Sequence, residues 1–157
     1  MGASAPVVAR VPLPRTLLRG ARRPQIALVG LPRTGKSTIF QAASSTSVEA
    51  GALAGSDLSF STCQVNIGLE QATLVDLPPL KTFHDLEDAD RLVLTALLDG
   101  AAGFKAPDLL IQVVDATALE PGLALSQELC ELGKPLVIAL NRLDEAREKG
   151  IYINVPA

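Results

Sequence analysis

A single eight-residue stretch restricts this chain to a small number of folds. Residues 30–37 read GLPRTGKS and match the phosphate-binding pattern G-x-x-x-x-G-K-[ST] at every fixed position. The apolar run before it, Gln25–Val29, is typical of a buried strand, and Ser37–Ala43 is predicted to be a helix. In a strand–loop–helix unit of this kind, backbone N–H groups and the helix N-terminus surround a phosphate. The sequence therefore predicts a P-loop nucleotide-binding fold.

The remainder of the chain alternates apolar runs with helical patterns. Strands are predicted at Thr62–Leu69, Ala72–Asp76, Leu109–Val114 and Leu136–Leu140, and helices at Glu87–Leu98 and Pro121–Leu132. Residues 45–61 are small, polar and glycine-rich and are predicted to form a long loop, and Glu70–Gln71 is predicted to connect the two strands that follow. The alternation predicts an α/β fold, a Ras-like three-layer sandwich with a mostly parallel sheet.

Charge divides the chain into two parts. Residues 1–48 contain seven basic residues and no acidic residue, whereas residues 49–157 contain the other seven basic residues and all 17 acidic ones. The acidic body and an aromatic content of 3% argue against nucleic acid as a partner. No run approaches 18 apolar residues, so no membrane span is predicted. Residues 1–24 are predicted to be a basic, Pro- and Arg-rich flexible leader and residues 25–157 the nucleotide-binding domain.

The P-loop and the strand ending at Asp76 supply the predicted phosphate and metal ligands. Lys36 is predicted to contact the β- and γ-phosphates, and the Ser37 hydroxyl to bind Mg²⁺. Asp76 is placed to hold the same ion through water. Catalysis is assigned to Lys36, Asp76 and Arg33. The predicted nucleotide-binding set also contains the rest of both loops: Gly30, Leu31, Pro32, Thr34, Gly35, Leu77, Pro78 and Pro79.

A loop hydroxyl is also expected beside the metal ion. Thr62 is predicted for this role and for nucleotide binding, because it lies where the long loop passes into a strand. Ser59, Ser61 and Thr46 are the alternatives.

The base-binding candidate is the sequence Asn141-Arg142-Leu143-Asp144, which directly follows the apolar run LVIAL. The carboxylate of Asp144 can accept hydrogen bonds from the N1–H and the 2-amino group of guanine, a pair of donors that adenine lacks. The stem of Arg142 is placed to lie along the purine face. This N-x-x-D pattern at the carboxyl end of a late strand favours a guanine nucleotide.

Two further segments resemble the N-terminal G domain of ferrous-iron transport protein B (FeoB). Residues 110–155 do so in VVDAT, in ELGKP and in N-x-x-D-E-A with the trailing KGI-x-I-x-V, and residues 63–80 (CQVNIGLEQATLVDLPPL) resemble the same family. Together with the P-loop, the resemblance covers about residues 25–157.

The resemblance implies a domain that binds and hydrolyses GTP, with GTP or GDP and Mg²⁺ as its ligands. It implies a location at the cytoplasmic face of the bacterial inner membrane, and a partner in the membrane channel domain of an Fe²⁺ transporter. Family members continue into a last strand, a helical domain and the channel. The present sequence ends at residue 157, soon after Asp144. A domain truncated before its last strand is therefore expected, with Leu136–Leu140 beside an open sheet edge.

The sequence departs from the family at two positions. The family's D-x-x-G is DLPP here, and Pro79 has no N–H to donate to a γ-phosphate. Leu80, the next residue, cannot orient water as a Gln can, so slow hydrolysis is expected. The second departure is Arg33, which stands where FeoB proteins usually have an Asn that helps to bind potassium. Potassium stimulation is therefore left open.

Arg33 also has a second parallel. GLPRTGKS resembles the P-loops of guanylate-binding proteins and atlastins, in which an Arg at this position acts as an internal arginine finger. The alternative is a solvated loop arginine.

Two other functions are compatible with these motifs. One is a soluble P-loop GTPase of assembly or trafficking. The other is a degenerate GTP-binding interaction module with little hydrolysis, which Pro79 favours.

Overall fold

The fold is built around a seven-stranded sheet. The computed structural model describes residues 22–81 and 83–154 and the backbone of residues 7–9. Within these residues the sheet contains β1 (Val7–Ala9), β2 (Gln25–Val29), β3 (Glu49–Ala52), β4 (Ser59–Ile67), β5 (Glu70–Asp76), β8 (Leu109–Asp115) and β9 (Leu136–Asn141), in the order β1-β9-β8-β2-β5-β4-β3. A separate short hairpin is formed by β6 (Gly100–Ala101) and β7 (Phe104–Lys105).

The centre of the sheet is parallel and both flanks are antiparallel. Strands β9, β8, β2 and β5 run in one direction. Strands β4 and β3 on one side, and β1 on the other, pair antiparallel with their neighbours. The predicted α/β fold is confirmed, although the sheet is mixed rather than mostly parallel. The central strands are almost continuously apolar because both of their faces are covered.

Helices cover both faces of the sheet. Helix α1 (Lys36–Ala43) packs through Phe40 on one face. Helices α2 (Asp88–Asp99) and α3 (Leu119–Cys130) pack on the other face, through Leu97 and Leu125 among others. A 3₁₀ helix (Ala116–Ala118) and α4 (Leu143–Glu148) pack together beyond the carboxyl ends of β8 and β9.

Residues 45–61 are where prediction and structure differ most. The predicted long loop contains β3, and β4 begins at Ser59 rather than at Thr62. The residues of β3, EAGA, carry no apolar pattern, and the strand forms by pairing with β4 along its length. The turn that joins β4 to β5 lies at residues 68 and 69 rather than at Glu70–Gln71, since Gly68 adopts a φ of 62°.

A short strand from the predicted leader covers the outer edge of β9. Val7–Ala9 pairs antiparallel with β9, with Val7 opposite Leu140. The prediction that strand 136–140 lies beside an open edge is therefore wrong, because part of the leader pairs with it. Residues 1–6 and 10–21, the rest of the predicted leader apart from its last residues, lie outside the described residues.

Candidate functional site

Four parallel strands end at one edge of the sheet and bring the predicted motifs together. β2 leads into the P-loop, β5 ends at Asp76, β8 at Asp115 and β9 at Asn141. Ligands of open α/β sheets bind at this edge. The Asn141 side-chain amide donates a hydrogen bond to the Thr34 carbonyl at 2.9 Å. The base-binding candidate and the P-loop are therefore in direct contact.

The two fixed glycines of the P-loop are required by packing. Gly35 has a φ of 86°, and a Cβ there would lie 2.3 Å from Nδ2 of Asn141. A Cβ on Gly30 would lie 2.7 Å from the carbonyl oxygen of Val113. Side chains at either position would therefore push the loop away from β8 and β9 and disturb the phosphate cradle.

Lys36, Ser37 and Asp76, three of the predicted phosphate and metal ligands, lie in contact with one another. Lys36 is only 8% exposed, and its ammonium donates to Oδ1 of Asp76 and to the carbonyl oxygen of Leu77. The Ser37 hydroxyl lies 3.2 Å from Oδ2 of Asp76. A cation, a hydroxyl and a carboxylate are thus grouped at the start of α1, where the positive end of the helix dipole adds to the field.

The segment that follows Asp76 is tied to the P-loop by its own backbone. The Leu80 N–H donates to the Gly30 carbonyl at 3.0 Å, and the Leu80 side chain is fully buried. Pro79, immediately before it, is exposed and has no N–H. The one donor next to Pro79 is therefore already engaged, and Leu80 is directed into the core rather than towards a reacting water.

Two carboxylates hold the continuation of this segment. The Asp90 carboxylate accepts from the backbone N–H groups of Lys81 and Glu87, both at 3.3 Å. The Glu128 carboxylate of α3 accepts from the Phe83 N–H at 2.9 Å. The backbone N–H groups of Lys81, Phe83 and Glu87 are thus held by carboxylates of α2 and α3.

Arg33 lies in the P-loop turn with its side chain exposed. Its backbone is left-handed, with a φ of 63°. Among the described residues, no hydrogen bond or ion pair holds its guanidinium. The side chain is therefore at the phosphate-binding loop but is not fixed in one orientation by the protein.

The register of β4 separates Thr62 from Asp76. Ser61 is directly opposite Asp76, whereas Thr62 is opposite Val75. Cross-strand neighbours share a face and successive residues alternate, so Ser61 lies on the Asp76 face and Thr62 on the other. Of the candidate hydroxyls, Ser61 is therefore the one placed on the Asp76 face, and which hydroxyl binds the ion stays a prediction. A shift of the β4–β5 register by one residue would reverse which hydroxyl shares the Asp76 face, and the sequence pattern does not reveal the register.

The base-binding candidate forms a turn at the start of α4. Arg142 has left-handed backbone angles, φ 60° and ψ 35°, and precedes the helix. Leu143 is buried against Val114 and Leu140, whereas Asp144 is exposed in the first turn. The chain therefore fixes the turn through Leu143 and leaves the Asp144 carboxylate accessible to a ligand.

Asp115 is a neighbouring charged residue to which the sequence assigned no role. Its Oδ2 accepts from Nη1 of Arg142 at 2.9 Å, and its Oδ1 accepts from the N–H and hydroxyl of Thr117 at 2.8 and 2.7 Å. Burial raises the pKa of Asp115, but the Thr117 hydrogen bonds and the Arg142 charge outweigh it and hold the pKa below its ordinary 3.8. An acid at the carboxyl end of a parallel strand was the available signal.

No helix among the described residues combines the length and the apolar character needed to cross a membrane. No cluster of three or more His, Cys, Asp or Glu side chains in this part of the chain is arranged to hold a metal ion.

The strand order, the glycine-rich loop after β2 and the Lys36–Asp76 contact define a P-loop GTPase fold. The sequence profile of ferrous iron transport protein B matches residues 24–157. The chain therefore belongs to the FeoB family, as its resemblance to that family predicted.

Relatives and solved structures agree with this assignment. The chain is 36% identical over 133 residues to the Fe(2+) transporter FeoB of Helicobacter pylori (strain 26695), covering 82% of this chain and 19% of the relative. It is 38% identical over 136 residues to that of Escherichia coli K12, covering 84% and 17%. The chain thus spans about a fifth of the length of these curated relatives.

Among solved structures, the G domain of T. maritima FeoB matches with a TM-score of 0.71 and 25% identity, covering 81% of this chain and 77% of that one. A mutant S. thermophilus NFeoB bound to GDP matches with a TM-score of 0.73 and 30% identity, covering 84% and 50%. The G domain of Methanococcus jannaschii FeoB matches with a TM-score of 0.69 and 31% identity, covering 85% and 77%.

Proposed function

We propose that this chain is a guanine-nucleotide-binding domain that serves an Fe²⁺ transporter at the cytoplasmic face of a membrane, and that it holds GTP and GDP with similar affinity. The observation that carries the proposal is the direct contact between the P-loop and the N-x-x-D turn through Asn141 and Thr34. A phosphate-binding loop and a guanine-type acceptor are thereby joined in one site.

At the phosphate end, Lys36 is the main ligand. Its ammonium contacts Asp76 and the Leu77 carbonyl, so it must exchange these partners for phosphate oxygens when nucleotide binds. The backbone N–H groups of the loop and the N-terminus of α1 supply the remaining positive potential.

The same end fits a magnesium ion. Hydroxyl and carboxylate oxygens are the ligands that Mg²⁺ prefers, and Ser37 and Asp76 present one of each, 3.2 Å apart. Ser61 adds a second hydroxyl on the face of the Asp76 side chain. These residues would hold the ion together with phosphate oxygens, and the ion would neutralise charge on the β- and γ-phosphates.

At the base end, Asp144 selects guanine. Its exposed carboxylate is a pure acceptor and matches the two donors of the guanine edge, whereas adenine would leave it unpaired. The Arg142 stem beside it is proposed to lie on the purine face.

Slow hydrolysis and weak discrimination between GTP and GDP follow from the segment after Asp76. Pro79 offers no N–H to a γ-phosphate, and the neighbouring Leu80 N–H is bonded to Gly30. A ligand that binds two states equally cannot shift the balance between them. This favours a nucleotide-binding module with little hydrolysis over a GTP-operated switch.

The role in iron transport is proposed from the relatives. The similar proteins of Helicobacter pylori and Escherichia coli are Fe(2+) transporters, and this chain matches about a fifth of their length. A membrane channel domain, in the same or a partner polypeptide, is the proposed partner of this nucleotide-binding domain.

Calorimetric titration of the chain with GDP and with ADP, each in Mg²⁺ buffer, tests the proposal. We expect GDP to bind at least a hundredfold more tightly, because adenine leaves the Asp144 carboxylate unpaired. Equal affinities, or no binding of either nucleotide, would refute the proposed function.

A further inference from the structure

The Arg142 backbone is held in a conformation that its own side chain disfavours. Arg142 and Arg33 are the two non-glycine residues with positive φ in the described part of the chain, and both lie in loops of the candidate site. A left-handed residue with a Cβ persists where neighbouring contacts fix it. Arg33 has no such contact among the described residues, but Arg142 does.

The Arg142 guanidinium contacts a carboxylate that other residues hold in place. Nη1 of Arg142 donates to Oδ2 of Asp115 at 2.9 Å, and the Asp115 side chain is 14% exposed. The other oxygen of Asp115 accepts two hydrogen bonds from Thr117, at 2.8 and 2.7 Å. Because both oxygens are engaged, the carboxylate cannot rotate, and it fixes the guanidinium in turn.

The other side of the turn is fixed by α4. The Arg142 carbonyl accepts from the Ala146 N–H at 3.0 Å, and Leu143 and Ala146 are buried against Val114 and Ala116. The guanidinium of Arg142 is therefore held by Asp115 at the end of β8. The first turn of α4, which contains Asp144, begins directly after this anchored residue.

We propose that Asp115, acting through Arg142, is a positioning residue for guanine recognition. The ion pair holds the left-handed turn that directs the Asp144 carboxylate at the base edge, and Asp115 itself does not touch the nucleotide. This inference rests on the proposed function, since it assumes that Asp144 binds guanine.

The first test replaces Asp115 and measures GDP and ADP affinities by calorimetry. Asp115→Asn retains the shape and an acceptor for Thr117 but removes the charge that holds Arg142. We expect GDP affinity to fall about 5–10-fold, the size of one ordinary hydrogen bond, because the ion pair acts on the base only through the turn, and ADP affinity to stay unchanged. The ratio of the GDP affinity to the ADP affinity therefore falls by the same factor.

Asp108→Asn is the matched control. Asp108 directly precedes the first residue of β8 and forms an ion pair with Arg22 at 2.7 Å. Its side chain is 20% exposed, close to the exposed fraction of the Asp115 side chain. Its carboxylate also accepts a backbone hydrogen bond, from the Gln25 N–H at 2.9 Å. We expect Asp108→Asn to lower the thermal midpoint as Asp115→Asn does, without changing nucleotide selectivity.

A second pair of variants separates the ion pair from the aliphatic stem of Arg142. Arg142→Met keeps a stem for the purine face but removes the guanidinium, whereas Arg142→Lys keeps a cation within reach of Asp115. We expect the Met variant to lose GDP affinity about as much as Asp115→Asn and the Lys variant to retain most of it. In the Arg142→Met background, Asp115→Asn should have no further effect.

The outcomes separate the two proposals. If the unaltered chain does not prefer GDP to ADP, the proposed function and this inference both fail. If it does, and Asp115→Asn changes selectivity no more than Asp108→Asn, only the positioning role is overturned. Should Asp115→Asn not fold, the Arg142 pair decides: equal GDP affinities for the Met and Lys variants overturn the inference, and a lower affinity for Met supports it.

Discussion

The base end and the γ-phosphate end of the candidate site differ in what they leave available to a ligand. At the base end, the protein fixes the turn through Arg142 and Leu143 and leaves the Asp144 carboxylate exposed. At the γ-phosphate end, Pro79 has no donor and the Leu80 N–H is bonded to Gly30. This contrast is the basis of the proposal that the site binds a guanine nucleotide without distinguishing GTP from GDP.

The largest expected effect tests the base end. Replacing Asp144 with Asn puts a donor where guanine needs an acceptor, so we expect GDP binding to weaken by about 2–4 kcal/mol. Xanthine nucleotides should improve relative to guanine nucleotides. Calorimetry with GDP and XDP measures both. Glu145→Gln, at the adjacent exposed acid of the same helical turn, is the control and should leave both affinities unchanged.

Replacing Arg33 tests whether its positive charge compensates for the missing backbone donor at the γ-phosphate end. We expect Arg33→Ala to slow single-turnover GTP hydrolysis about 10–100-fold, less than the ~10³–10⁵ of a well-placed arginine finger, because the side chain is exposed. Arg147→Ala, an exposed arginine of α4, serves as the control. Equal rates for the wild type and Arg33→Ala would identify Arg33 as a solvated loop residue.

The same assay in sodium and in potassium buffers tests whether the Arg33 guanidinium takes the place of a potassium ion. If Arg33 takes the place of potassium, the wild type should hydrolyse GTP at the same rate in both salts. A severalfold acceleration of the wild type by potassium would contradict this replacement, even if Arg33→Ala is slow.

Pro79→Gly sharpens the comparison by returning a donor to the γ-phosphate end. One net hydrogen bond contributes about 1 kcal/mol, so we expect the affinity for a GTP analogue to rise about fivefold relative to that for GDP. Pro78→Gly adds the same backbone freedom one position earlier and should leave the ratio near one. If both variants change the ratio alike, flexibility rather than the donor is responsible.

The smallest expected effect concerns pH at the base end. The pKa of Asp115 is lowered in the folded state, so its ion pair stabilises the fold above the ordinary value of 3.8 and loses this contribution as pH falls through the lowered value. The difference in unfolding free energy between the wild type and Asp115→Asn should therefore be constant from pH 7 to about 5. This difference in unfolding free energy should shrink as the pH falls below 3.8. A difference that already disappears near pH 6 would contradict the lowered pKa.

The central strands and the phosphate loop were predictable because their signals are local. β2 was predicted with the bounds that the structure has, and β8 and β9 differ from prediction by one residue at their ends. Each is a mostly apolar run that ends beside a Gly, Asp or Asn. The P-loop pattern and the acid at the end of β5 indicated that Lys36 and Asp76 belong to one site, but their direct contact was not predicted.

Elements that depend on pairing partners were not predictable. β3 consists of four small residues and exists because β4 lies beside it. The preference for Ser61 over Thr62 depends on which residue faces Asp76, and one position of register reverses the answer. The Asp115–Arg142 pair joins the ends of two strands, and neither local sequence indicates the contact.

Calorimetry with GDP and a non-hydrolysable GTP analogue, at matched Mg²⁺, tests the central contrast most directly. The fixed segment around Pro79 and Leu80 predicts affinities that agree within about threefold, with both far above the affinity for ADP. An analogue that binds about a hundredfold more tightly than GDP, a gap of roughly 2.7 kcal/mol, would show that the γ-phosphate end does sense its ligand and would contradict the contrast.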